Sequence, residues 1–233
     1  MPPLRGGAIE KAWFRLGGAF AERGCEVTHV SRLCDGLPEA EDIDGVRQRR
    51  VPGFEAPGGA LRTKWRDLRY VLRARKALPP ADVLVTHAFW APLLVRDASR
   101  GALYVHVGRY PKGQMRWYGG AARLQAPSEA IAEAIRREAP GAEEKVRALP
   151  YPLPWNLEAA PEQGEGARDK VVLYLGRIHP EKGLRELVEA FAGLNAKERG
   201  GWRLRVRGPW RVEQGGAGEG VLRELKGLGE QAG

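Results

Sequence analysis

Residues 171–194 read VVLYLGRIHPEKGLRELVEAFAGL. The stretch opens on an apolar run of strand type and closes on apolar residues at helical spacing, with GRIHPEKG between them. A strand that enters a helix through a short loop is the repeating unit of a parallel sheet. Such a loop needs a glycine and a cap, yet this one also holds Arg177, His179 and Lys182 between Gly176 and Gly183. In α/β folds these loops sit at the carboxyl ends of strands, where ligands bind. Arg177 offers a planar fork for phosphate oxygens, and Lys182 adds a mobile point charge. Pro180 stiffens the loop, while Gly183 lets the chain enter the next helix closely. The residues alone leave a second reading open, in which both cations are solvated and Glu181 pairs with one of them.

Working outward, the same alternation fills the chain. Residues 8–23 place Ile9, Trp13, Leu16 and Phe20 at helical spacing, Gly24 ends that helix, and EVTHV at 26–30 supplies a strand. A polar loop leads to VRQRRVP, a second strand, and residues 62–78 form an amphipathic helix stopped by Pro79-Pro80. DVLVTH at 82–87 and ALYVHVG at 102–108 are strands, and Ser128 is placed to cap a helix over 129–138. KVRALPYPLP at 145–154 closes the first unit. Residues 155–169 are polar and rich in Gly, Glu and Ala, as in a linker. Strand, helix, strand and helix then follow at VVLYLG, 184–194, WRLRVRG (202–208) and 219–228.

The expected architecture is therefore α/β, with two Rossmann-like domains at 1–154 and 170–233 joined by a linker at 155–169 and a cleft between them. The second domain has two strand–helix pairs where a doubly wound sheet has about five or six strands, so it reads as incomplete.

With 43% hydrophobic and 29% charged residues, the 233-residue chain has the composition of a soluble globular protein. Its formal charge of +9 favours anionic partners such as nucleic acid, phosphorylated metabolites or an acidic membrane surface. The positives are dispersed, in RQRR at 47–50, RARK at 73–76 and RLRVR at 203–207, which suits surface solubility as well as an interaction patch. Cys25 and Cys34, the two cysteines, lack metal-ligand spacing and are expected to be reduced thiols. No apolar run reaches the roughly 20 residues that span a bilayer, and MPPLRGGAIE has no signal core. The expectation is a cytoplasmic protein, with peripheral contact at the inner face of the membrane left open.

Three further features bear on chemistry. Gly6-Gly7 directly precedes a helix, where exposed backbone N–H groups and the positive dipole end suit a phosphate, although a plain turn uses the same residues. His87 and His106 each fall at the carboxyl end of a strand. No Walker A sequence, HExxH, GxSxG elbow or RNP-like strand is present, which argues against those hydrolases and nucleic-acid modules.

Taken in order, RGGAIEKAWFRLGGAFAERG, CEVTHV, DVLVTH, YVHVG, APSEAIAEAI, KVRALPYPLPW and LYLGRIHPEKGLRELVEAF resemble the retaining GT-B glycosyltransferases of family 4 over almost the whole chain. The GR-x(4)-KG pattern on a strand–loop–helix is the most specific single piece. The resemblance implies a glycosyltransferase that moves a sugar from a nucleotide-diphosphate sugar to a glycan, lipid or small-molecule acceptor with retention of configuration, and no nucleic-acid partner. No cofactor or metal is implied. It assigns Gly6, Gly7, Gly176, Arg177, Lys182 and Gly183 to donor binding, with Arg177 and Lys182 also neutralising the departing diphosphate. It places His106 beside the transferred sugar and His87 on the acceptor side. Two parts of the family pattern, the strand before the glycine pair and the distal E-x(7)-E element, are not in this sequence. Glu181 and Glu189 have the latter's spacing but stand in the wrong segment. The chain thus reads as truncated, and a non-catalytic nucleotide-sugar or phosphate-binding remnant needing a partner chain is the alternative function.

Overall fold

Alternation along VRQRRV decides how the first sheet sits. Val46, Gln48 and Arg50 turn inward, at 2%, 0% and 4% exposure, while Arg47 faces solvent. RQRR is thus not a run of dispersed surface charge. Arg50 is buried, donates to the Pro38 carbonyl at 2.6 Å and pairs with Glu41.

A computed structural model describes residues 8–54, 60–95, 97–152 and 169–230. The chain divides into two compact units, Met1–Asn156 and Leu157–Gly233. Of the linker expected at 155–169, all but Asp169 lies outside the described residues.

The first unit begins with α1 (Ala8–Ala21), β1 (Val27–Arg32), β2 (Ala40–Ile43), β3 (Val46–Val51) and α2 (Ala60–Ala77). It continues through β4 (Val83–Thr86), the short α3 (Ala91–Leu94), β5 (Ala102–His106), β6 (Arg123–Ala126), α4 (Glu129–Glu138) and β7 (Val146–Ala148). Two sheets result. One has the order β1-β3-β2, with β1 parallel and β2 antiparallel to β3; the other, β4-β5-β6-β7, is wholly parallel. The polar loop expected between the first two strands contains β2. Its hairpin turns at Asp44 and Gly45, both in the left-handed region at φ 51° and 74°, which is what a two-residue type I′ turn demands.

The main core lies where β5, β6 and β7 meet α4, with Leu124, Ala126, Ile135 and Val146 at most 1% exposed. Helix α4 presents Ile131, Ala132 and Ile135 to it at helical spacing. Ser128 occupies the N-cap position as expected, but only its backbone carbonyl is used, accepting from Ala132 N; its side chain makes no capping bond. Helix α1 uses the expected face in part: Ile9, Trp13 and Leu16 are half-buried on it, and only Phe20 is exposed. Ala12 and Gly17 are its buried residues, and Phe20 is 43% exposed. Small residues line the contact because a Cβ at Gly17 would stand 2.5 Å from Cε1 and Nε2 of His29 on β1.

The second unit comprises β8 (Val171–Leu175), α5 (Leu184–Ala192), the short α6 (Ala196–Arg199), β9 (Arg203–Arg207) and α7 (Glu219–Glu230). Strands β8 and β9 pair in parallel, Val171 opposite Arg203 through Leu175 opposite Arg207. Ile178, Leu184 and Val188 form the core with Tyr174, Leu204, Val206 and the apolar side of α7. The other side of β8 leaves Leu173 and Leu175 56% and 78% exposed. Both units are Rossmann-like in kind, parallel strands joined through helices, as expected. Among the described residues no helix is long and apolar enough to cross a membrane.

Candidate active site

Strand β5 ends on His106, and the strand's own geometry buries that side chain to 3% exposure. Its Nε2 shares a 2.8 Å hydrogen bond with the Tyr151 hydroxyl, which arrives 45 residues later on the segment leaving β7. Trp13 of α1 meets the imidazole edge-on, with ring centroids 5.7 Å apart. Among the described residues the other ring nitrogen, Nδ1, is buried and has no partner at hydrogen-bonding geometry. Burial holds the His106 pKa below the ordinary imidazole value, against the pull of Gln125, its register partner on β6, and with a small further push from His87. The ring is therefore neutral at pH 7.

Gly108 stands two residues beyond β5, and the space a side chain would need there is taken. A Cβ would lie 2.8 Å from Ile9 Cδ1, 3.1 Å from Tyr151 Oη and 3.4 Å from His106 Nε2. The first turn of α1 therefore lies over the carboxyl end of β5. His87, directly after β4, belongs to the same neighbourhood: Glu10 of α1 raises its pKa, while desolvation, the larger effect, lowers it. Glu10 likewise acts on Tyr151, whose pKa is raised first by burial. The structure thus gathers His87 and His106 with Glu10, Trp13, Gly108 and Tyr151 at one edge of the parallel sheet. Gly6 and Gly7 lie outside the described residues.

In the second unit the turn after β8 is built by exchanges with the loop after β9. Gly176 N donates to Arg207 O at 3.0 Å, and Ile178 N to Pro209 O at 2.9 Å. Gly208, at φ 151°, comes so close that a Cβ would fall 1.8 Å from Gly176 O. Residues Pro180–Lys182 form a single 3-10 turn capped by His179, whose Nδ1 accepts from Glu181 N at 3.3 Å. His179, given no role from sequence, therefore shapes the turn. Gly183 follows in the left-handed region at φ 65° and starts α5, as the sequence led one to expect.

Arg177 and Lys182 emerge on the same side of that turn, both about half exposed, around one carboxylate. Arg177 Nη1 donates to Gly215 O at 2.7 Å and Nη2 pairs with Glu181. Lys182 Nζ lies 3.8 Å from the same Glu181 oxygen. The second reading of the loop is thus partly right: Glu181 pairs, but with both cations. Two cations thus share one carboxylate oxygen, an arrangement able to hold an anionic oxygen.

Sequence reasoning missed Tyr151, Glu10 and Gly108. Only Gly108 left a local trace, as the glycine that closes the strand YVHVG. Tyr151 is brought in by sheet order alone.

The family model described as Glycosyltransferase Family 4 matches residues 6–153, and the one described as Glycosyl transferases group 1 matches residues 157–231. No curated protein matches the chain.

Proposed function

The chain belongs to Glycosyltransferase Family 4, and from that premise, which makes sugar transfer its general chemistry, we propose a retaining transferase that takes its sugar from a nucleotide-diphosphate sugar. The observation that carries the donor assignment is the turn after β8, where Arg177 and Lys182 converge on one carboxylate oxygen. A diphosphate there would be neutralised as the glycosidic bond breaks, which lowers the barrier without a protein nucleophile. Gly176 and Gly183 let the backbone approach the phosphates closely. His106, neutral and buried beside Tyr151, would border the transferred sugar, and His87 the acceptor, a glycan, lipid or small molecule. Gly6 and Gly7 would present backbone N–H groups to donor phosphates or the acceptor.

Titration calorimetry with UDP, GDP and ADP tests this reading. Lys182→Ala should weaken whichever nucleotide binds, and unchanged affinity would sink the diphosphate assignment.

The exposed apolar side of β8, with Leu173 and Leu175 on it, favours a second reading in which the chain binds donor but turns over only with a complementing chain. Turnover by the purified chain at a rate ordinary for an enzyme would exclude it.

A further inference from the structure

Residues 98–128 contain neither Asp nor Glu, and within that stretch the connection from β5 to β6 carries Arg109, Lys112 and Arg116. All three cations are exposed. Two of them stand directly before an aromatic residue, as Arg109-Tyr110 and Arg116-Trp117. These rings are open to solvent as well, Tyr110 at 61% and Trp117 at 47% exposure. The loop leaves the sheet just past Gly108, beside His106, so it starts at the candidate site.

The loop is anchored from beneath. Met115 and Tyr118 are buried, and the Tyr118 hydroxyl donates to Phe89 O at 2.8 Å, on the segment after β4. Glu138 of α4 accepts from Gly113 N at 2.8 Å and from Met115 N at 3.4 Å. That carboxylate serves the loop's backbone, and among the described residues Arg109, Lys112 and Arg116 form no ion pair. Arg116 Cζ lies 5.2 Å from the centroid of the Trp117 ring. The same ring meets Phe89 edge-to-face, with centroids 6.2 Å apart, and Lys64 Nζ stands 5.4 Å from the Phe89 centroid. Exposed rings and unpaired cations are thus held in place where solvent gives them nothing to hold.

A cation next to an aromatic ring matches a ligand with an anion next to an apolar face. Pyranose rings present C–H faces that pack on indole and phenol rings, and a uronate carries its carboxylate on the same ring. Arginine forks hold such carboxylates with paired hydrogen bonds. Single-stranded nucleic acid could stack on these rings, but its phosphates lie on the backbone, away from the bases. We propose that the β5–β6 loop is an acceptor subsite for an acidic glycan, with uronate rings packed on Trp117 and Tyr110 and their carboxylates held by Arg116 and Arg109. This assignment names the acceptor class, and it rests on the reading of the β4 and β5 ends as the acceptor side.

Titration of the full chain with trigalacturonate and with maltotriose, both without donor, tests it. Trigalacturonate should bind about tenfold more tightly than maltotriose, change tryptophan emission, and lose affinity as salt rises. R109Q/R116Q should lose about tenfold in affinity, the scale of hydrogen bonds to charged groups. Trp117→Ala should lose about three- to tenfold and remove part of the emission change, with the fold checked by circular dichroism. Equal binding of maltotriose, no binding of trigalacturonate, or full binding by either variant overturns the proposal. So does binding of a single-stranded oligonucleotide, or of phosphatidylglycerol vesicles, through these residues without any binding of trigalacturonate. Nucleotide affinity is measured separately, so the donor assignment can fail while this subsite stands, and the reverse.

Discussion

Arg177 is tied to Glu181 across the turn after β8, so the guanidinium fork is already occupied: Nη1 holds Gly215 O at 2.7 Å and Nη2 holds the carboxylate. A diphosphate arriving there must displace Glu181 before it meets the fork, and it must overcome the carboxylate's repulsion as well. Glu181→Gln keeps the shape and the Gly215 contact but removes that charge. Both partners are about half exposed, so the pair is worth at most about 1 kcal/mol. Nucleoside diphosphate should therefore bind about two- to fivefold more tightly to Glu181→Gln, as measured by titration calorimetry. Weaker or unchanged binding would show that Glu181 supports the site rather than competing for it.

The hydrogen bond between His106 Nε2 and Tyr151 Oη gives a second test. If the pair borders the transferred sugar, Tyr151→Phe should lower kcat by about tenfold, as loss of one hydrogen bond near the reacting atoms does, and leave nucleotide affinity unchanged. His106→Ala should cost more, since it also empties a buried site next to Trp13. Burial keeps the His106 pKa below its ordinary value, so the neutral ring persists below pH 6.5 and the acid limb of the rate profile should fall beneath that point. A full rate from His106→Ala would remove the residue from the transfer site.

Most of the fold was legible because it rests on apolar runs: VVLYL, DVLVTH and ALYVH each become a strand within a residue or two of the expected bounds. The β2–β3 hairpin was not, since AEDIDGV looks like a polar loop, although Asp44-Gly45 between apolar neighbours is the strongest short turn signal there is. Arg50 was mistaken for surface charge because composition ignores alternation, and Val46-x-Gln48-x-Arg50 is the buried side of a strand. Of the candidate site, the turn that carries Arg177, Lys182 and Gly183 is readable from one loop. Tyr151 was not, because nothing near it in the chain points to His106; parallel packing of β5, β6 and β7 alone makes them neighbours.

The adjacent glycines of α1 should respond with opposite signs. Among the described residues nothing lies within 4 Å of a Cβ at Gly18, so Gly18→Ala should gain about 0.5–1 kcal/mol from helix propensity. At Gly17 the Cβ would stand 2.5 Å from two atoms of the His29 ring. Overpacking of that kind costs about 1–3 kcal/mol, which exceeds the propensity gain. Urea denaturation should place Gly18→Ala above the wild type and Gly17→Ala below it. Two variants of equal stability would mean that α1 does not rest on β1 at Gly17.

The same contact makes His29 a source of acid sensitivity. Burial beneath α1 pushes its pKa from 6.5 down to about 4, against the effect of its hydrogen bond with Gln48. Above pH 6.5 the ring is neutral in both the folded and unfolded chain, so it contributes no pH dependence. Between pH 6.5 and about 4 the unfolded chain takes up a proton that the folded chain refuses, and stability falls as pH falls. Below about pH 4 both states are protonated and the loss stops growing, at no more than about 3 kcal/mol. His87 and His106, also shifted downward, add to the slope in the same direction, and ordinary carboxylates titrate at its lower end. The informative quantity is therefore the difference between proteins. His29→Gln should flatten the plot of urea midpoint against pH between 6.5 and 4, whatever it does to stability at pH 7. A variant with the wild-type slope would show that the ring under Gly17 takes up its proton without opening the α1–β1 contact.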